Sequence, residues 1–252
     1  MKNSIKIISS VFIFVAVLFS LNSCKKDKTP PPVETTAMFY LHIHTAIDTT
    51  EADTGMVCAD ATGRHFEMNL AQLYISNVVL HKPDGSTYAI AGSYILKTIA
   101  IEPYALGQVP AGNYSYVSFD VGIDAAKNAS DPSTNTGCLA IQNPSMWFGS
   151  TAQGFMFANV QGKADTTIAQ LGPVDSPFSY QLGTNSMLRS VTLPLNPFTV
   201  VGGQDQVVHV IADYGVLLQG INFKTQSNAT PFVNATVATQ IANNIPLMFH
   251  FE

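Results

Sequence analysis

"MFYLHIHTAI", residues 38 to 47, alternates between two kinds of side chain. Phe39, Leu41, Ile43 and Thr45 fall on one side and Tyr40, His42, His44 and Ala46 on the other, a period of two that gives each set its own face of a β-sheet. A strand with one apolar face needs a second layer to cover it, and the chain supplies many more strand-like segments. Residues 70–82 (LAQLYISNVVLHK) and 86–96 (STYAIAGSYIL) flank Pro83-Asp84-Gly85, a turn signal that predicts a hairpin. Further strands are expected at 114–121, 154–160, 177–182, 188–195, 206–211 and 247–252. Helical periodicity is weak, with short helices expected at 99–106, 123–128 and 232–243. Many short strands separated by Gly, Pro and Asn predict an all-β fold: one antiparallel sandwich or barrel-like domain with few short helices.

Composition fits a packed domain. Hydrophobic residues make up 46% of the chain and charged residues 12%, well under the roughly 25% charged residues usual in globular proteins. Disorder is excluded beyond a short linker. Nucleic acid is excluded as a partner, because the 12 Lys and Arg are scattered and the net charge is −5, whereas such binding rests on clustered cations.

The first residues predict an address. Met1 to Lys6 is a short basic stretch, and residues 7–21 form an uncharged, mostly apolar run that ends in Leu21-Asn22-Ser23-Cys24. The run is short of the roughly 20 residues a membrane span requires, so it reads as a secretory signal. The tetrapeptide resembles the lipobox of bacterial lipoproteins, which implies cleavage before Cys24 and acylation of that cysteine. The domain plan is then a signal at 1–23, lipidated Cys24 with a linker over 24–36, and a β domain over 37–252. Pro30-Pro31-Pro32 makes the linker an extended spacer. The expected location is the cell envelope, held by lipid on a membrane, the outer one.

Two cysteines remain after Cys24, Cys58 and Cys138. An exported protein meets an oxidising compartment, so a disulfide between them is expected ahead of a copper thiolate or two free thiols. The segment Asp48 to Asp53 is acidic but lacks the spacing of a calcium loop and reads as a solvated turn. The chain has no GxSxG, GxGxxG after a strand, Walker loop or HExxH. A non-enzyme is expected.

Four segments occur in an order that resembles a known family: GRHFEMNLAQLYISNVVLHKPDGSTY (63–88), VPAGNYSYVSFDVGIDAAKN (109–128), PSMWFGSTAQGFMFANVQGKAD (144–165) and FSYQLGTN (178–185). Together they resemble the MbnP-like family, periplasmic or surface copper-binding proteins first named for association with methanobactin. The resemblance implies copper as the ligand, and a di-haem peroxidase-like protein and an outer-membrane transporter as partners. It also implies an oxidised tryptophan at copper in some members, and Trp147 occupies the corresponding position. Where the family strand carries histidine, this chain has Gln181, a poor copper ligand.

Physical reading of the same blocks gives architecture. Pro110-Ala111-Gly112 is a tight turn feeding the next strand, Asp124 and Asn128 are placed to tie down the following loop, and Met146, Trp147, Phe155 and Phe157 read as core. For copper, imidazole suits both oxidation states. His42 and His44 share a face about 6 to 7 Å apart along the strand, from a rise of roughly 3.3 Å per residue. A third ligand has to come from elsewhere, with His65 the candidate and His250 or a Met the alternatives. Two strand histidines bonded to water or backbone are the competing reading. Two functions therefore stand at this point: a copper-binding envelope lipoprotein for metal acquisition or storage, or a non-metal surface module recognising a protein, glycan or envelope component.

Overall fold

A computed structural model describes residues 35–100 and 102–252. The signal, Cys24 and nearly all of the linker lie outside the described residues. The main strands are β1 (Thr36–Ile47), β2 (His65–His81), β3 (Glu102–Pro110), β4 (Tyr116–Val121), β5 (Met156–Ala164), β6 (Ser176–Gly183), β7 (Arg189–Thr192), β8 (Gln206–Asp213) and β9 (Phe249–Phe251). Helices are short: α1 (Ala125–Asn128), α2 (Tyr214–Leu217) and α3 (Ala235–Asn244). The all-β expectation holds, with curled sheets packed as a sandwich or half-barrel.

One sheet runs β9–β8–β1, and the far edge of β1 is covered by β3 and by the short strand Thr50–Glu51. The other runs β7–β4–β2–β5–β6, with Asn228–Ala229 beyond β6. The expected alternation of β1 is present from Phe39 to Thr45, where Phe39, Leu41, Ile43 and Thr45 are fully buried while Tyr40, His42 and His44 are only partly so; it ends at Ala46, which is buried although expected on the outer face. Each large apolar side chain placed inside in this way contributes roughly 1.5–3 kcal/mol. The main core draws Phe39, Leu41, Ile43, Val208 and Val210 from the first sheet and Phe66, Leu73, Val117 and Val160 from the second.

β2 departs from simple alternation because both of its faces are covered midway. Leu73 and Ile75 enter the main core, whereas Tyr74 joins a second cluster with Ile123, Met146, Phe155 and Phe157. The hairpin after β2 closes as expected. Lys82 N–H donates to the Ser86 carbonyl at 2.8 Å, and Gly85 takes a φ of +84°, a conformation open to glycine at no steric cost. Its return strand is split into Thr87–Ala89 and Tyr94–Lys97.

Two expectations are corrected. Residues 99–106 were expected to be helical, but β3 occupies most of that stretch, paired antiparallel to β1 from Thr36↔Pro110 to Ile43↔Glu102. The unpaired N–H and C=O groups along β1 outweigh a weak helical pattern. Pro103, which has no N–H to donate, is tolerated because β3 lies at the sheet edge. The sheets are also mixed rather than purely antiparallel, since β1 and β8 run parallel over eight paired residues from Phe39↔Gln206 to Ala46↔Asp213.

The loops of the second cluster are held as their residue types predict. Asp124 caps α1 by accepting from the Ala126 and Lys127 N–H groups, both at 3.1 Å. Asn128 accepts from the Phe155 N–H at 2.8 Å and donates to the Asn185 side chain at 2.9 Å.

Candidate metal centre

The parallel pairing of β1 and β8 decides where the histidines meet. His42 stands opposite His209, and His44 opposite Ile211. Val207, His209 and Ile211 alternate with buried Val208 and Val210, so His209 joins His42 and His44 on the outer face of the sheet. The backs of the same strands, Leu41, Ile43, Val208 and Val210, sit in the core and fix the backbone beneath the imidazoles.

One nitrogen from each of His42, His44 and His209 lies within 4.8 Å of the others. His42 Nδ1 and His209 Nδ1 share a hydrogen bond at 3.1 Å, with the tautomer deciding which ring donates. Ring centroids are separated by 4.5 Å for His42–His44, 4.7 Å for His42–His209 and 6.0 Å for His44–His209. His44 Nε2 is buried and has no hydrogen-bond partner. The carboxylate of Glu252, just past β9, comes within 3.3 Å of His209 Nδ1 and 3.6 Å of His44 Nε2. His42 has its pKa lowered, first by partial desolvation, then by His44 and His209, while Glu252 pulls the other way. These neighbours favour the neutral imidazole, which is the form that ligates a metal.

The other candidates lie elsewhere. His65 opens β2 in the second sheet, opposite Ala59, and is not part of the group. His250 faces Ile211 across the β8–β9 pair and lines a cleft with His44 and Glu252. Trp147 bridges to Phe155 and packs against the second cluster, with its buried Nε1 unpartnered. Gln181 lies on β6, opposite Asn159. The positions the resemblance marks out, Trp147 and Gln181, thus belong with the second sheet, whereas the histidine group belongs to the first. His209 was missed from the sequence because the pairing that recruits it is long-range. The available signal was its place on the polar side of an expected strand.

The structure does not join the two cysteines expected to form a disulfide. Cys58 and Cys138 are free thiols, Cys58 buried in the main core opposite Phe66 and Cys138 packed against the second cluster. Separate cores hold them, and burial pushes both thiols up.

A family model for MbnP matches residues 36–236. This chain belongs to the MbnP family. Among solved structures it is similar to MbnP from Methylosinus trichosporium, with 14% identity, a TM-score of 0.54, and coverage of 73% of this chain and 78% of that one. At that identity the likeness shows the fold that this MbnP-family chain shares. No curated protein matches it.

Proposed function

We propose that this chain is a copper-binding protein of the cell envelope that takes its metal at His42, His44 and His209 for acquisition or storage. The observation that carries the reading is the convergence of these imidazoles with His44 Nε2 buried and unpartnered. A buried nitrogen without a partner costs about 1–3 kcal/mol, and a bound cation removes that cost. Imidazole donors suit copper in either oxidation state. Family membership suggests copper among metals that favour imidazole, taken here at a group distinct from the positions of Trp147 and Gln181.

In this reading the protein is a carrier rather than a catalyst, and copper is its cargo. Lipid at Cys24 holds it on the membrane surface. Among the described residues no helix is long and apolar enough to cross a membrane. A di-haem peroxidase-like protein and an outer-membrane transporter are the partners proposed with this role.

A second reading, a module for a small polar ligand or envelope component, draws on a cleft of about 390 Å³ whose lining includes Asp48, Asp60, Arg64, Asp213, Gln219 and Asn222. Metal content decides between them. The purified full chain, loaded with copper and dialysed, should retain close to one equivalent, and a His42→Ala/His44→Ala/His209→Ala variant should retain none. Equal, negligible copper in both would leave the cleft as the better site.

A further inference from the structure

We propose that the Glu252 carboxylate is a fourth, anionic donor, which makes the group a centre of three imidazoles and one carboxylate selective for a divalent cation, Cu(II), over Cu(I). This rests on the copper reading and adds to it an oxidation state and a ligand.

The distances carry the argument. Donors at about 2.0–2.2 Å from a shared ion lie about 3.4 Å apart at tetrahedral angles and about 3.0 Å apart at the right angles of the tetragonal geometry that Cu(II) prefers. His42 Nδ1 to His209 Nδ1 is 3.1 Å, His209 Nδ1 to Glu252 Oε2 is 3.3 Å and His44 Nε2 to Glu252 Oε2 is 3.6 Å. The first of these is a hydrogen bond that a shared ion would replace, and the other two bring one carboxylate oxygen to His209 and His44, two members of the histidine group. The two carboxylate contacts are too long for charge-assisted hydrogen bonds, which run about 2.7–2.9 Å. His44 Nε2 accordingly counts as unpartnered even with the carboxylate beside it.

Chemistry then selects the ion. A carboxylate oxygen is a hard donor, while Cu(I) favours thiolates and thioethers, and no cysteine belongs to this group of described residues. One negative charge also attracts a doubly charged ion twice as strongly as a singly charged one at the same distance. Strand pairing places the carboxylate reproducibly: Val210 pairs with Phe251 and Ile211 with His250, so continuing the antiparallel register brings Glu252 opposite His209.

The test measures Cu(II) and Cu(I) affinities separately, by competition with chromophoric chelators, on the full chain and on Glu252→Gln and His209→Ala variants. Circular dichroism verifies that each variant is folded. Glu252→Gln should weaken Cu(II) by about tenfold or more and leave Cu(I) within about threefold. The Cu(II) electron paramagnetic resonance spectrum should change with loss of the oxygen donor. Unchanged Cu(II) affinity in Glu252→Gln, with His209→Ala weakened, overturns the carboxylate proposal and leaves the histidine site standing. Equal losses for both oxidation states in Glu252→Gln overturn the selectivity. No difference between the full chain and His209→Ala removes the copper reading and this proposal with it.

Discussion

His42 and His209 face each other across a parallel strand pair, their Nδ1 atoms 3.1 Å apart although 167 residues separate them in the chain. One neutral imidazole protonated at Nδ1 can donate to the bare Nδ1 of the other at this distance. A cation shared between them would replace that bond.

Replacing His209 by Ala should therefore cost at least about tenfold in copper affinity, or about 1.4 kcal/mol, with the fold intact because the side chain is outside the core. His65→Ala, in the other sheet, should leave affinity unchanged. Chelator competition on both variants checks the pair, and equal losses would contradict the placement of the site.

Asn128→Ala should destabilise the domain by about 1–3 kcal/mol, the cost of leaving a buried N–H unsatisfied. The orphaned group is that of Phe155, and the link to Asn185 is lost as well. Chemical denaturation reads the change directly. Copper affinity should not move.

Asp124 gives the pH prediction. Burial raises its pKa, but hydrogen bonds from the Tyr94 hydroxyl and the Lys127 and Ala126 N–H groups outweigh burial and hold the carboxyl below its ordinary value of 3.8. A carboxyl whose native pKa is depressed binds more protons when unfolded, so its contribution is present in full above the ordinary value and is lost as pH falls through the native one. Asp124→Ala should cost about 1 kcal/mol near neutral pH through the lost cap. Denaturation at a series of acidic pH values should show the gap from wild type narrowing. Tyr94, pushed up to about 12 by burial and then by Asp124, should titrate closer to the usual phenol range in the same variant, as ultraviolet absorbance would show.

The cysteines give a chemical prediction. Alkylation of the unreduced, unfolded full chain followed by peptide mapping should label both Cys58 and Cys138. In the native state Cys58, with 4% exposure, should label far more slowly than after unfolding. A reductant should not shift the melting temperature.

The strand pattern was legible wherever one face is buried and the other wet, since local alternation and burial are then the same information. That covers β1, β8 and the hairpin after β2, together with the loop roles of Asp124 and Asn128. Long-range pairing was not legible. Nothing within "QVVHVI" states that it runs parallel to β1, so His209 could not be joined to His42, and His65 was chosen in its place. The disulfide expectation came from compartment chemistry, which carries no distance. The helix expected at 99–106 ignored the demand of an open strand edge for partners.

The parallel pairing of β1 and β8 also dictates an order of events. Such contacts across most of a chain close large loops, which slows folding. As the chain is made or exported from its N-terminal end, His42 and His44 emerge early and wait for residues 206–213 before their third partner exists. A half-finished molecule thus offers at most two of the three imidazoles, on a strand paired with β3 but still without β8. The histidine group exists only once the last fifth of the chain has found its place, so under the proposed function copper retention would measure that assembly.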